Sequence, residues 1–82
     1  MQSIILYHTV GCHLCEDAEV VLSSFRKAGV IDVTLVDIAD DDALVDLYGI
    51  RIPVIRKADA PTEEGELGWP FDHDKVNEFL NF

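Results

Sequence analysis

The spacing of hydrophobic and polar positions changes period several times along this chain, and each change marks an element. Ser3 to His8 is short, apolar and β-branched, which predicts a buried strand. Thr9 to Gly11 breaks it. From His13 to Ala28 the apolar residues Leu14, Ala18, Val21, Leu22 and Phe25 recur every three or four positions, the signature of one helix face. Glu16, Asp17 and Glu19 in its early turns and Arg26 and Lys27 in its last complement the helix dipole, and Gly29 is placed to end it. Ile31 to Asp37 then alternates, predicting a strand with Ile31, Val33 and Leu35 turned inward.

Further on, Asp40-Asp41-Asp42 supplies N-cap candidates for a short helix carrying Ala43, Leu44 and Leu47 and ending at Gly49. Three consecutive aspartates are better read as a solvated helix start than as a calcium loop, which needs oxygens at alternating positions and a closing glutamate. Pro53 to Arg56 predicts a third strand, with proline at the first position, where a missing N–H costs least. Ala58 to Gly65 is polar and turn-rich. Glu66 to Trp69 predicts a short fourth strand, and Trp69 and Phe71 are expected to cover the edge of the core. Asp72 is placed to cap a last helix burying Val76, Phe79 and Leu80. The order is β-α-β-α-β-β-α, without repeats, and residues 1–82 are expected to form one domain.

Charge narrows the partners. Sixteen acidic residues against six basic give a net charge of -10, which repels phosphate backbones and anionic membranes and argues against nucleic-acid and lipid partners. Its plain meaning is solubility; its sharper one is preference for a basic partner. No stretch is apolar enough to span a bilayer. The first residues lack the basic segment and cleavage site of a signal peptide, so a cytoplasmic location is the expectation; a monomer is expected as well.

Chemistry concentrates at Cys12 and Cys15. Two cysteines are too few for a disulfide scaffold, and the Cys-x-x-Cys spacing leaves redox chemistry or metal binding. The thiolate is the nucleophile in disulfide exchange, so a reactive cysteine needs a field that favours the anion. Cys12 follows a strand and Gly11 and opens a helix, facing unpaired N–H groups and the positive end of the dipole. This makes Cys12 the attacking thiol and Cys15, one turn into the helix, the resolving one. His13 between them is a tuning candidate: protonated, it assists the thiolate but opposes the dipole, while Glu16 and Asp17 disfavour the anion. Zinc is set aside, because ligands crowded into Cys12, His13 and Cys15 do not spread to a tetrahedron. An iron–sulfur cluster bridging two chains ranks lower still. Arg51 is the cation nearest the expected groove and a candidate for a substrate carboxylate, against its plain reading as a solvated side chain.

Tyr7-His8-Thr9-Val10-Gly11-Cys12-His13-Leu14-Cys15 resembles the active-site segment of glutaredoxins and thioredoxins. Tyr48-Gly49-Ile50-Arg51-Ile52-Pro53-Val54 is similar to the segment of that superfamily that ends in a cis-proline. The chain looks most like a compact glutaredoxin-like group with a Cys-x-x-Cys-Glu-Asp-Ala start and a Trp-Pro-Phe near the end. The resemblance implies a thioredoxin-like α/β fold: a mixed four-stranded sheet with two helices on one face and one on the other. It implies that Cys12 forms a mixed disulfide that Cys15 resolves, and that Pro53 is cis and sets the Ile52 backbone beside Cys12 to pair with a bound thiol peptide. It also leaves Asp72 as a residue that would hold glutathione.

The chain departs from glutaredoxins in three places. It has Thr9 and Val10 where a lysine is common, His13-Leu14 in place of Pro-Tyr, and no paired glycines before the last helix. These departures weigh against glutathione dependence more than against exchange. The resulting expectation is a thiol–disulfide oxidoreductase acting on protein disulfides or glutathione mixed disulfides. It needs no organic cofactor or metal, and glutathione is at most a co-substrate. The alternative is a non-catalytic, redox-gated binding module.

Overall fold

The structure, a computed structural model, describes residues 2–58 and 65–80. Strand β1 (Gln2–His8) leads to α1 (His13–Lys27) and then to β2 (Ile31–Asp37). A single 3₁₀ turn (Ile38–Asp40) and α2 (Asp42–Tyr48) follow, then β3 (Val54–Lys57), β4 (Glu66–Gly68) and α3 (His73–Leu80). The sheet order is β2-β1-β3-β4, with β1 parallel to β2 and the other pairs antiparallel. This is the mixed four-stranded α/β sheet expected. The turn-rich Ala58 to Gly65 segment falls largely at 59–64, outside the described residues.

Alternation along β1 builds two cores. Ile4 and Leu6 face α1 and α3, joining Ala18, Leu22, Ile31, Ile55, Phe71 and Val76. On the opposite face Tyr7 and Val54 join Ile38 and Tyr48, so α2 covers that side alone. Two helices on one face and one on the other follow from this pleat. Trp69 packs against the first core, edge-on to buried Phe71 with ring centroids 5.0 Å apart.

Capping explains the helix starts. The Asp37 carboxylate accepts from the Ala39 N–H at 2.9 Å and that of Asp41 from the Ala43 N–H at 2.9 Å. Asp72 accepts from the Lys75 N–H at 2.9 Å and so caps α3. At the end of α1, Gly29 takes φ +76°, the left-handed conformation that favours glycine.

Three inward positions expected from periodicity turn outward. Leu35 is 49% exposed, because β2 is an outer strand and the core reaches Ile31 and Val33 but stops short of Leu35. Leu14 is 48% exposed; the buried face of α1 starts instead at Cys15 and continues through Ala18 and Leu22. Leu47 is 58% exposed, since Leu44 and Tyr48, four residues apart, take the sheet-facing side of α2. Boundaries also shift: the first strand begins at Gln2, Pro53 precedes the third, which runs on to Lys57, and Trp69 follows the fourth. Among the described residues, no helix is long and apolar enough to cross a membrane.

Candidate active site

The strand register decides which residues meet at one end of the sheet. β1 runs toward Cys12, and Tyr7 near its end pairs with Val54 at the start of β3, which in turn pairs with Gly68 at the end of β4. His8 pairs with Asp37 at the end of β2. The Cys12 turn, the Ile52–Pro53 segment, the end of β4 and the start of α2 therefore share one end of the fold.

Gly11 makes the turn from β1 into α1 at φ +82°, where a side chain would be strained although nothing crowds the position. Cys12 follows as the N-cap of α1, with extended backbone, and its Sγ accepts the Cys15 N–H at 3.2 Å. Its carbonyl accepts from the Glu16 N–H at 3.2 Å, the first turn of the helix. The sulfur thus occupies the place that a serine or aspartate oxygen fills at an ordinary N-cap. Cys12 and Cys15 form a disulfide with Cα atoms 5.2 Å apart. Cys12 is half-buried and Cys15 only 2% exposed, so an incoming sulfur has access to Cys12. His13 projects into solvent with Nδ1 3.4 Å from Glu16 Oε2. So exposed a pair contributes little stability.

Pro53 is fully buried, and the Ile52–Pro53 and Trp69–Pro70 peptides are cis. The Pro53 carbonyl accepts from the Trp69 N–H at 3.1 Å, tying the segment to the end of β4. Ile52 is half-buried, and its N–H donates to the Tyr48 carbonyl at 3.0 Å. No described backbone group donates to the Ile52 carbonyl.

Arg51 is not a loose cation. Its Nη2 lies 3.2 Å from Glu66 Oε1, and its guanidinium sits 5.3 Å from the centre of the Tyr48 ring. Tyr48 stacks on Tyr7 with centroids 4.3 Å apart and donates its hydroxyl to Glu66 Oε2. Burial first, and then that bond to a carboxylate, hold the Tyr48 hydroxyl well above the ordinary phenol value of 10.0. Glu66 therefore bridges α2, the segment before Pro53 and β4. Nothing in the sequence assigns a role to Tyr48 or Glu66; the available signals are that Tyr48 opens the segment ending in Pro53 and lies four residues after Leu44 on the same helical face.

Asp72 is set apart from the cysteines. Its neighbour His73 lies with Nε2 2.7 Å from Ser24 Oγ and stacks on Phe25 at 5.5 Å. Ser24 is about 18 Å along α1 from Cys12. The structure thus gathers Cys12, His13, Cys15, Arg51, Ile52 and Pro53 at one end and leaves Asp72 as the cap of α3. A cleft of about 500 Å³, lined among others by Lys57, Gly68, Lys75 and Phe79, contains neither cysteine.

Comparison with known proteins agrees with this fold. The chain is 36% identical to protein XcR50 from X. campestris, whose crystal structure superposes with a TM-score of 0.80 over 95% of each chain. Protein Ne2328 from Nitrosomonas europaea is 29% identical, with a TM-score of 0.75 over 96% of this chain and 91% of that one. Thioredoxin 1 from Thermosipho africanus, at 15% identity, shares the fold with a TM-score of 0.69 over 96% and 90% of the two chains. No curated protein matches. Residues 3–81 match the glutaredoxin-like domain (DUF836), and the chain belongs to that family, with a thioredoxin fold and a Cys-x-x-Cys pair at the helix start.

Proposed function

We propose that the protein is a thiol–disulfide oxidoreductase, exchanging electrons between the Cys12–Cys15 dithiol and disulfides of proteins or glutathione. The observation that carries this reading is the placement of Cys12 Sγ at the N-cap of α1, accepting the Cys15 N–H, with Cys15 buried behind it. A negative charge on that sulfur gains a backbone donor and the positive end of a helix dipole.

In the reducing direction the Cys12 thiolate attacks one sulfur of a substrate disulfide, and the other sulfur leaves as a thiolate and takes a proton. Cys15 then attacks Cys12 Sγ, releases the second substrate thiol and closes the Cys12–Cys15 disulfide. Two electrons pass from the dithiol to the substrate. An extended substrate chain pairs with the Ile52 carbonyl, because the Ile52 N–H is already committed to Tyr48. Electrons return from glutathione or a reductase, no organic cofactor takes part, and the protein works as a monomer in a reducing, cytoplasmic setting.

Cys15→Ala tests the two assigned roles while keeping the buried position apolar. Incubated with a small disulfide, this variant is expected to accumulate a mixed disulfide on Cys12 that intact-mass measurement counts as one adduct per chain. The wild-type chain passes through the same species without accumulating it. Failure of the variant to form any adduct would overturn the assignment of Cys12 as nucleophile.

A further inference from the structure

The charge of the chain is not spread evenly around the disulfide. Its six cations are Arg26, Lys27, Arg51, Arg56, Lys57 and Lys75. Arg26 and Lys27 lie in the last turn of α1, about 20 Å along the helix from Cys12. Lys57 pairs with Ile4 toward the other end of the sheet, its Nζ 5.3 Å from the centre of the Phe79 ring, and Lys75 lines the same cleft. Arg56 is half-buried on the α2 face, donating to the Tyr7 hydroxyl at 3.3 Å. Arg51 lies at the redox end paired with Glu66 at 3.2 Å, and Arg56 reaches toward that end through the Tyr7 hydroxyl that it holds.

Carboxylates dominate what remains there. Glu16 and Asp17 follow Cys15 directly and are exposed, and Asp40, Asp41 and Asp42 stand exposed between the end of β2 and α2. Apart from the exposed His13 between the cysteines, the rim around the pair carries open apolar side chains: Val10 is 87% exposed, Leu14 48% and Ile50 102%. A disulfide approaching Cys12 therefore meets a largely apolar rim inside a negative field, with Arg51 already paired to Glu66.

We infer that the Cys12–Cys15 pair selects disulfides carried on cationic groups and discriminates against anionic ones, glutathione included. This rests on the exchange reading above and narrows its substrate class to disulfides in basic, partly apolar protein segments. Attraction raises the local concentration of a cationic disulfide and lowers that of an anionic one, an effect that salt screens over about 8 Å at physiological ionic strength. The chemical step is unchanged: Cys12 thiolate displaces one substrate thiolate, and Cys15 displaces the second.

The test reacts the dithiol form with three small disulfides: cystamine, cationic; hydroxyethyl disulfide, neutral; and oxidised glutathione, anionic. Each rate is divided by the rate of the same disulfide with dithiothreitol, which removes differences between leaving groups. At low ionic strength the normalised rates are expected to fall from cystamine to hydroxyethyl disulfide to glutathione, spanning on the order of tenfold or more. Added salt should slow the first, speed the last and leave the neutral one unchanged. Glu66→Gln, which releases Arg51, and the exposed double variant Glu16→Gln/Asp17→Asn should each raise the glutathione rate relative to the neutral one. Equal normalised rates, or glutathione reacting fastest, would overturn the charge selection while leaving exchange intact. No reaction with the neutral disulfide would overturn the exchange reading and this inference with it.

Discussion

Cys12→Ser is expected to reduce disulfide exchange to the uncatalysed background while leaving the fold as stable as that of the reduced parent, which likewise lacks the Cys12–Cys15 disulfide. The two halves of this prediction come from different properties of one atom. As a nucleophile, Cys12 acts through its thiolate, and a serine hydroxyl does not ionise in the same pH range. As a helix cap, Cys12 Sγ accepts the Cys15 N–H at 3.2 Å, and serine is among the preferred residues for that task. Loss of activity in this variant is therefore chemical rather than structural. Cys12→Ala removes nucleophile and cap together and should also cost about 1 kcal/mol of stability. Urea denaturation beside a turnover assay separates the effects. Residual turnover near the parental rate in Cys12→Ser would move the chemistry elsewhere. Parental affinity for a protein partner without turnover in either form would favour the binding module.

The largest effect on stability is expected at Leu22. This side chain is 1% exposed, and it sits among Ile4, Leu6, Ala18, Ile55, Phe71 and Val76 where α1 and α3 meet the sheet. Leu22→Ala removes buried methyl groups and leaves a cavity that rigid neighbours fill only in part, a cost of about 2–5 kcal/mol. Domains of this kind are stable by about 5–15 kcal/mol in total, so the variant should show a markedly lower urea midpoint. Val20 is on the same helix but 71% exposed, and Val20→Ala should change stability by less than about 0.5 kcal/mol. Similar losses in the two variants would mean that α1 does not pack through the face described.

Local chemistry made most of the fold legible before its structure. Helix α1 was bounded by Gly11 and Gly29 and carried a clear helical period, so its extent and its cysteines were read together. The β-α-β-α-β-β-α order followed from similar punctuation. Alternation shows that residues share a face of a strand, but not whether anything lies over that face. Leu35 was therefore misplaced: only the sheet order reveals β2 as an outer strand. Leu14 had the right helical phase, but it lies in the first turn, ahead of the region that the sheet covers.

The Cys12–Cys15 pair at the helix start was legible, and the side chains around it were not. Tyr48, Arg51 and Glu66 come together across a loop and a strand register that no local pattern encodes. For the same reason nothing local in the sequence paired Arg51 with Glu66. Asp72 was correctly read as a cap, whereas its expected place beside glutathione came from resemblance alone. Beside it, His73 packs against the far half of α1, and Asp72 accepts from the Lys75 N–H.

The central claim is that Cys12 and Cys15 form a reversible redox couple, and equilibrium in glutathione buffers of graded potential tests it most directly. Alkylating the free thiols at each potential and weighing the intact chain counts them. The account predicts one two-electron transition, from two free thiols to none, with a midpoint between roughly -270 and -180 mV, where thioredoxins, glutaredoxins and disulfide isomerases operate. Two thiols that stay reduced across the whole series, or that oxidise without return, would contradict it.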